Sequence, residues 1–382
     1  MDFFNRLIER VFTPAHPLPA GMYHYQAPAD APIPYRMHLR IEPDGQGILI
    51  INASTVLHLN LTATEFAYYL VKQTSEEEVI QEILKRYHIS REEALKDYRD
   101  LVERIQTLVT KPNLDPETFM DFERKDPYST AISAPYRLDC ALTYRCSNGA
   151  TEEFAPKVRR ELEIKEWETI LQKAWDAGVP HVIFTGGEPT LRPELVDLIA
   201  YTQKIGQVVG VISDGLSLSE TAYLHKLLES GLDHIMILLD PHDEQSWDAL
   251  RVVLAEGIFT TVHVTITQSN ANEMEVLFDR LAGMGVSSMS LSADDPGLKD
   301  ALTAARHAVA DRKMSLVWDL PVPYSEFHPV ALELAEQEQT SKGAGTAWLY
   351  VEPDGDVLPA QGAQTVLGNL LTDPWEKIWK SR

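Results

Sequence analysis

"HVIFTGGEPTLRPEL", residues His181 to Leu195, decides how the rest of this chain is read. "HVIFT" is rich in β-branched and aromatic residues, the composition of a buried strand. The two glycines after it permit a tight turn and a close backbone approach. "RPELVDLIAYTQKIG" then has the apolar spacing of an amphipathic helix. Strand, glycine turn and helix make one βα unit, and the pattern repeats on both sides. The strand candidates are "LDCALTY", "HVIFT", "VVGVIS", "HIMILLD", "TTVHVTI" and "SSMSLS". Between them run segments such as "EWETILQKAWDAG", "TAYLHKLLESG" and "QSWDALRVVLAEG". Four of the helical segments end in glycine, which suits a helix C-cap. Six such units in series predict an α/β fold with a parallel sheet, open or curled towards a barrel. Sites in such sheets lie at the carboxyl ends of strands. "CSNGATEEF", "GGEP", "SDGLS" and "DPHDE" all fall there.

The flanks read differently. Residues 1–34, rich in Pro and Ala ("TPAHPLPAG", "APADAPIPY"), predict an extended arm. Residues 35–110 predict a compact unit of three strands and three helices. "PDGQG" marks a hairpin turn between β-rich runs, and "TATE", "SEEE" and "SREE" each fit the S/T-x-x-E helix start. Residues 111–134, with "TKPNLDPETF" at their start, read as a linker. The alternating βα stretch occupies 135–318. The tail, 319–382, holds two short β-like runs around "PDGD", then turns and a Trp-rich helix, expected to pack onto the main sheet as a small appendage.

The whole chain narrows the function. Its 382 residues suggest two or three domains. A net charge of −23 opposes binding to nucleic acid, which needs basic surface to displace counterions. No run reaches the roughly 20 apolar residues of a membrane span, and "MDFFNRLIERVF" lacks a secretory cleavage site. Two cysteines, Cys140 and Cys146, rule out a disulfide framework and a four-sulfur zinc site, so the expected location is cytoplasmic.

Three segments, in order, carry a resemblance to one family. The middle, with "GGEP" after a strand, resembles the radical SAM core, a partial (β/α)6 barrel. The tail, with "PDGDV" and "GN" before a Trp helix, resembles the SPASM extension. Residues 35–110 resemble the PqqD-like peptide-recognition domain, a winged-helix fold that binds the leader of a ribosomally made precursor peptide. The resemblance implies S-adenosylmethionine and a [4Fe–4S] cluster held by C-x-x-x-C-x-x-C after the first barrel strand. Soft thiolates converging from one loop suit such a cube. Here Cys146 takes the first place, Ala150 the second and Glu153 the third, with Glu152 beside it. Ala360 stands where the tail extension commonly has a cysteine. Cys140 reads as a small buried hydrophobe on its strand.

Other positions match. Gly186, Gly187, Glu188 and Pro189 fit the motif that the resemblance assigns to the amino group of S-adenosylmethionine. Ser213 and Asp214 fall in the region implied to contact the ribose, and Asp240 where the family meets substrate or cofactor. Ser213, Asp214 and Asp240 also suit plain turn and cap roles. Three functions follow from this reading. One is a pseudoenzyme of peptide maturation that binds a leader peptide and partners a cysteine-complete radical SAM enzyme. The second is an active enzyme whose cluster cysteines are substituted in this sequence. The third is a non-radical enzyme reusing the S-adenosylmethionine pocket.

Overall fold

The computed structural model describes residues 18–28, 30–111, 132–149, 158–317 and 343–382. Ala150, Glu152 and Glu153 lie outside the described residues, as does most of the expected linker. The chain divides into two compact units, Met1–Ser133 with Trp175–Pro180, and Ala134–Ala174 with His181–Arg382.

In the first unit, β1 (Gly21–Gln26), β2 (Arg36–Ile41), β3 (Gly47–Ile51) and β4 (Thr55–Leu59) form one antiparallel sheet in that order. The strand at 21–26 corrects the expectation of an arm over 1–34. "GMYHYQ" pairs along its whole length with β2, and its tyrosines Tyr23 and Tyr25 pack on the core. Helices α1 (Leu61–Val71), α2 (Glu76–Arg86) and α3 (Arg91–Thr110) follow. Ser75 and Ser90 cap α2 and α3 as expected, Ser90 through a complete capping box. The first helix differs, since Asn60 rather than Thr62 accepts from the Ala63 amide. The helix therefore starts two residues earlier, and Thr64 turns its hydroxyl onto the Asn60 carbonyl. Leu39, Leu49, Phe66, Val79, Ile83 and Leu101, each under 2% exposed, make the core. Beside it, Tyr35, Met37, Leu70, Val102, Ile105 and Val109 line an apolar cavity of about 270 Å³.

The second unit carries the predicted parallel sheet. Its strands are β5 (Arg137–Thr143), β6 (His181–Gly186), β7 (Val208–Ser213), β8 (His234–Leu238), β9 (Phe259–Ile266), β10 (Ser288–Ala293) and the short β11 (Ser315–Leu316). They lie in sequence order, each parallel to the next. Helices α4 (Ile164–Ala177), α5 (Leu195–Ile205), α6 (Thr221–Glu229), α7 (Glu244–Ala255), α8 (Met274–Gly283) and α9 (Lys299–Asp311) connect them. The glycines after α4 to α7 (Gly178, Gly206, Gly231 and Gly257) all take positive φ, which ends each helix.

The tail joins this sheet at its edge. β12 (Trp348–Val351) joins the edge of β5 in parallel, and β13 (Asp356–Leu358) and β14 (Gly368–Asn369) continue the sheet antiparallel. Asn369 fastens the two turns of the tail. Its amide donates to the Asp354 carbonyl at 3.0 Å and to Asp356 at 2.9 Å, and its side-chain oxygen accepts from Leu371 and Thr372. Lys173 of α4 holds the next turn through the carbonyls of Leu370 and Asp373.

Register sorts the side chains of the sheet. Leu138, Cys140, Val182, Phe184, Val209, Val211, Ile235 and Val262 share one apolar face. The opposite face changes character across the strands. Ile183, Ile212 and Met236 form a small apolar strip. Beyond it Thr261, His263 and Thr265 of β9 face Ser288, Ser290 and Ser292 of β10.

Candidate functional site

The site sits where β5, β6 and β7 end. Gly186 adopts φ +115°. A Cβ there would stand 2.2 Å from the Thr143 carbonyl, and one on Gly187 would stand 2.2 Å from the Arg145 carbonyl. Both positions exclude a side chain, because two main chains meet there. The Gly187 amide donates to the Thr143 carbonyl and the Glu188 amide to the Arg145 carbonyl, each at 2.7 Å. The glycines of "GGEP" thus bind the loop after β6 to the segment that leads directly into Cys146. Pro189 opens a short 3₁₀ turn, Pro189–Leu191, with Glu188 as its cap.

Glu188 is the centre of the arrangement. Its side chain is 2% exposed. One carboxylate oxygen accepts from the Thr190 amide at 2.9 Å, the Thr190 hydroxyl at 2.5 Å and the Ser213 hydroxyl at 3.0 Å. The other accepts from the Asp214 amide at 2.8 Å. Burial raises its pKa, and the neighbouring Asp214 carboxylate raises it further, to about 7, against the pull of these hydrogen bonds. Ser213 is wholly buried and its oxygen also accepts from the Gly215 amide at 2.9 Å. Asp214 closes its own turn by accepting from the Leu216 amide. So the structure brings Gly186, Gly187, Glu188, Pro189, Ser213 and Asp214 together. Asp240 stands apart. It is exposed, its side chain accepts from the His242 amide at 2.9 Å, and its amide donates to the Ser246 hydroxyl.

Cys146 is half-buried and begins a turn that its carbonyl closes with the Gly149 amide at 3.0 Å. Cys140 is 0% exposed on the apolar face, in register with Phe184. Burial, reinforced by Asp139, pushes its thiol well above the ordinary range. The sulfur chemistry at the end of β5 therefore reduces to one cysteine. Among the described residues no group of three or more His, Cys, Asp or Glu side chains could hold a metal ion.

Several residues of the site escaped the sequence. Arg192, 5% exposed, donates to the Leu142 carbonyl at 2.7 Å and the Leu162 carbonyl at 2.8 Å. Glu161 accepts from the Thr143 hydroxyl and pairs with Arg145 at 3.4 Å and Arg192 at 3.6 Å. The two ends of the Cys146 loop are thereby tied together. Tyr144 donates to Glu352 of the tail at 2.5 Å and lies 3.3 Å from the Tyr350 hydroxyl. Burial, with Tyr350 and Glu352 beside it, holds the phenol protonated. None of these residues has a local signal, since each partner lies on another element. At the amino ends of the strands, His181 and His234 meet at 2.8 Å, Nε2 to Nε2. Gly210 between them makes room, because a Cβ there would stand 2.0 Å from the His234 ring. Burial and then Arg137 lower the His234 pKa to about 4, so this imidazole is neutral near pH 7.

Comparison with known proteins agrees with this architecture. Residues 144–257 match the Radical SAM superfamily. The chain is 28% identical over 284 residues to the PqqA peptide cyclase of Streptomyces rochei, covering 65% of this chain and 76% of that protein. It is 25% identical over 292 residues to the PqqA peptide cyclase of Xanthomonas axonopodis pv. citri (strain 306), covering 67% and 74%. The fold is similar to Streptococcus suis SuiB bound to precursor peptide SuiA, with a TM-score of 0.56, 15% identity and coverage of 89% and 86%. It is likewise similar to SuiB bound to S-adenosylmethionine, with a TM-score of 0.55, 16% identity and coverage of 90% and 86%. The chain thus has a radical SAM fold and is homologous to PqqA peptide cyclases. Among the described residues no helix is long and apolar enough to cross a membrane.

Proposed function

We propose that this chain binds a precursor peptide in ribosomal-peptide maturation and performs no radical chemistry itself, serving as a scaffold for a cysteine-complete enzyme of the same fold. The peptide role rests on the homology to PqqA peptide cyclases and on the likeness to SuiB, whose structure holds precursor peptide SuiA. The first unit supports it, with a sheet edge suited to strand addition and an apolar cavity of about 270 Å³ beside the core.

The observation that carries the silent role is the donor set. A cluster of the family's kind needs three thiolates from one loop. The whole chain has two cysteines, and one of them is 0% exposed on the apolar face of β5. Ala150 offers no donor atom, and a lone carboxylate at Glu153 is a poor substitute for thiolate. The residues present do not fit the cluster.

The test is iron and sulfide content after anaerobic reconstitution, on this chain and on the double variant Ala150→Cys/Glu153→Cys. The expected result is no cluster in the chain as it stands and about four irons in the variant, since three cysteines then occupy the loop. About four irons in the unsubstituted chain overturn the reading. The second reading, an active enzyme whose cysteines are substituted in this sequence, draws on the intact ties of Gly186, Gly187 and Glu188. It requires the restored variant to cleave S-adenosylmethionine as well as to bind iron.

A further inference from the structure

The ends of β5, β6 and β7 and the tail are joined by four sets of protein hydrogen bonds. The loop after β6 holds the end of β5 through the Gly187 and Glu188 amides. Glu188 holds the loop after β7 through Ser213 and the Asp214 amide. Glu161 holds Thr143, Arg145 and Arg192. Glu352 holds Tyr144, and Ala363 of the tail packs on the cluster of Ala141, Tyr144, Tyr350 and Leu358.

A carboxylate that is to receive a ligand's ammonium must be reachable and must have lone pairs to offer. Glu188 fails the first and meets the second on one oxygen only. It is 2% exposed, and its oxygens already accept four hydrogen bonds from the protein. An incoming ammonium would compete with the buried Ser213 hydroxyl and with donors of the half-buried Thr190 and Asp214. Displacing the Ser213 hydroxyl would leave a buried donor without this acceptor, at a cost an exposed hydrogen bond does not return.

From this we infer that Glu188 is a positioning residue, the clasp that locks the loops after β6 and β7, and that the mouth of the sheet keeps its shape without S-adenosylmethionine. The inference rests on the reading that this chain carries no cluster. It goes further by assigning the carboxylate of the cofactor motif to the amides and hydroxyls of the protein's own loops. The ring of loops is then preformed. Its order depends on hydrogen bonds, and the small-molecule cofactor implied by the fold contributes nothing to it.

The experiment is a calorimetric titration of the full chain with S-adenosylmethionine, repeated with S-adenosylhomocysteine. Thermal unfolding of the wild type, Glu188→Gln and Glu188→Ala is followed alongside. The expected result is no saturable binding of either compound at millimolar concentration and no shift of the unfolding midpoint on adding them. Glu188→Ala should lower the midpoint clearly, and Glu188→Gln, which keeps the shape and one acceptor, should lower it less. Saturable binding of S-adenosylmethionine at micromolar concentration overturns the inference, whether or not Glu188→Gln weakens it. Equal midpoints for wild type and Glu188→Ala overturn it as well. Iron is measured in the same samples. Cofactor binding without iron sinks this inference alone, whereas about four bound irons sink the silent-scaffold reading on which it rests.

Discussion

The loop that follows β5 and the loop that follows β6 lie side by side and are joined by two backbone hydrogen bonds of 2.7 Å, yet they differ in what they keep. The β6 loop has every residue of its motif, and each serves the structure. Gly186 and Gly187 allow the close approach, Glu188 accepts four hydrogen bonds, and Pro189 opens the turn. The β5 loop has one cysteine, and its ends are held by Glu161, Arg145 and Arg192. The difference separates two kinds of residue within one site. On the reading proposed above, side chains that would bind a metal are absent while other bonds hold the loop.

The sharpest way to break that contrast is Gly186→Ala. The added methyl meets the Thr143 carbonyl at 2.2 Å, on a backbone with φ +115°. Neither strand end is free to move, so a loss of at least about 3 kcal/mol is expected in urea unfolding. A loss below about 1 kcal/mol would show that the β5 end yields easily and that the two loops are less firmly joined than their geometry indicates.

Arg192→Met comes next. It keeps an unbranched apolar stem while removing the donors to the Leu142 and Leu162 carbonyls. A loss of about 2–3 kcal/mol is expected, with faster proteolysis between Cys146 and Glu161, because two buried carbonyls are left unpaired. An unchanged proteolysis rate would place the anchoring of that loop elsewhere.

The smallest expected effect is one of pH. Glu188 has a folded-state pKa near 7 against an ordinary value of 4.5, so the folded protein holds this proton more tightly than the unfolded chain. Its stabilising contribution is complete below about pH 4.5 and is lost as pH rises through about 7. Relative to Glu188→Gln, the wild type should lose on the order of 1–3 kcal/mol between pH 5 and pH 8, measured by urea unfolding at several pH values. A difference between the two proteins that does not vary with pH would mean that Glu188 stays ionised throughout, with its four donors outweighing burial.

The fold of the second unit was legible because its signals are local. "HVIFT", "VVGVIS" and "SSMSLS" carry strand composition, the glycines after α4 to α7 carry the helix ends, and both are properties of a few neighbouring residues. In the first unit the same kind of signal located β2, β3 and β4 and the caps at Ser75 and Ser90. It failed at Gly21–Gln26, where alternating Tyr and His after a Pro-rich stretch gave no reason to expect a partner. It also failed at Asn60, because an asparagine two residues ahead of a serviceable capping box took the cap. At the site, Gly186, Gly187, Glu188, Pro189, Ser213 and Asp214 were named together through the family resemblance, along with Asp240, which stands apart. Arg192, Glu161, Tyr144 and Glu352 were not, since an arginine or a tyrosine in a loop has no signature until its acceptor is known.

By itself the sequence determined the βα order, the resemblance to the radical SAM family, and a count of two cysteines. These depend on residue type and short-range spacing. The tertiary structure alone decided that Glu188 serves the loops, that the tail extends the sheet beside β5, and that the Cys146 loop is fastened at both ends by ion pairs and carbonyls. Those outcomes depend on which groups meet across separations of 16 to more than 200 residues. The pattern along the chain does not specify that meeting until the sheet has set its register.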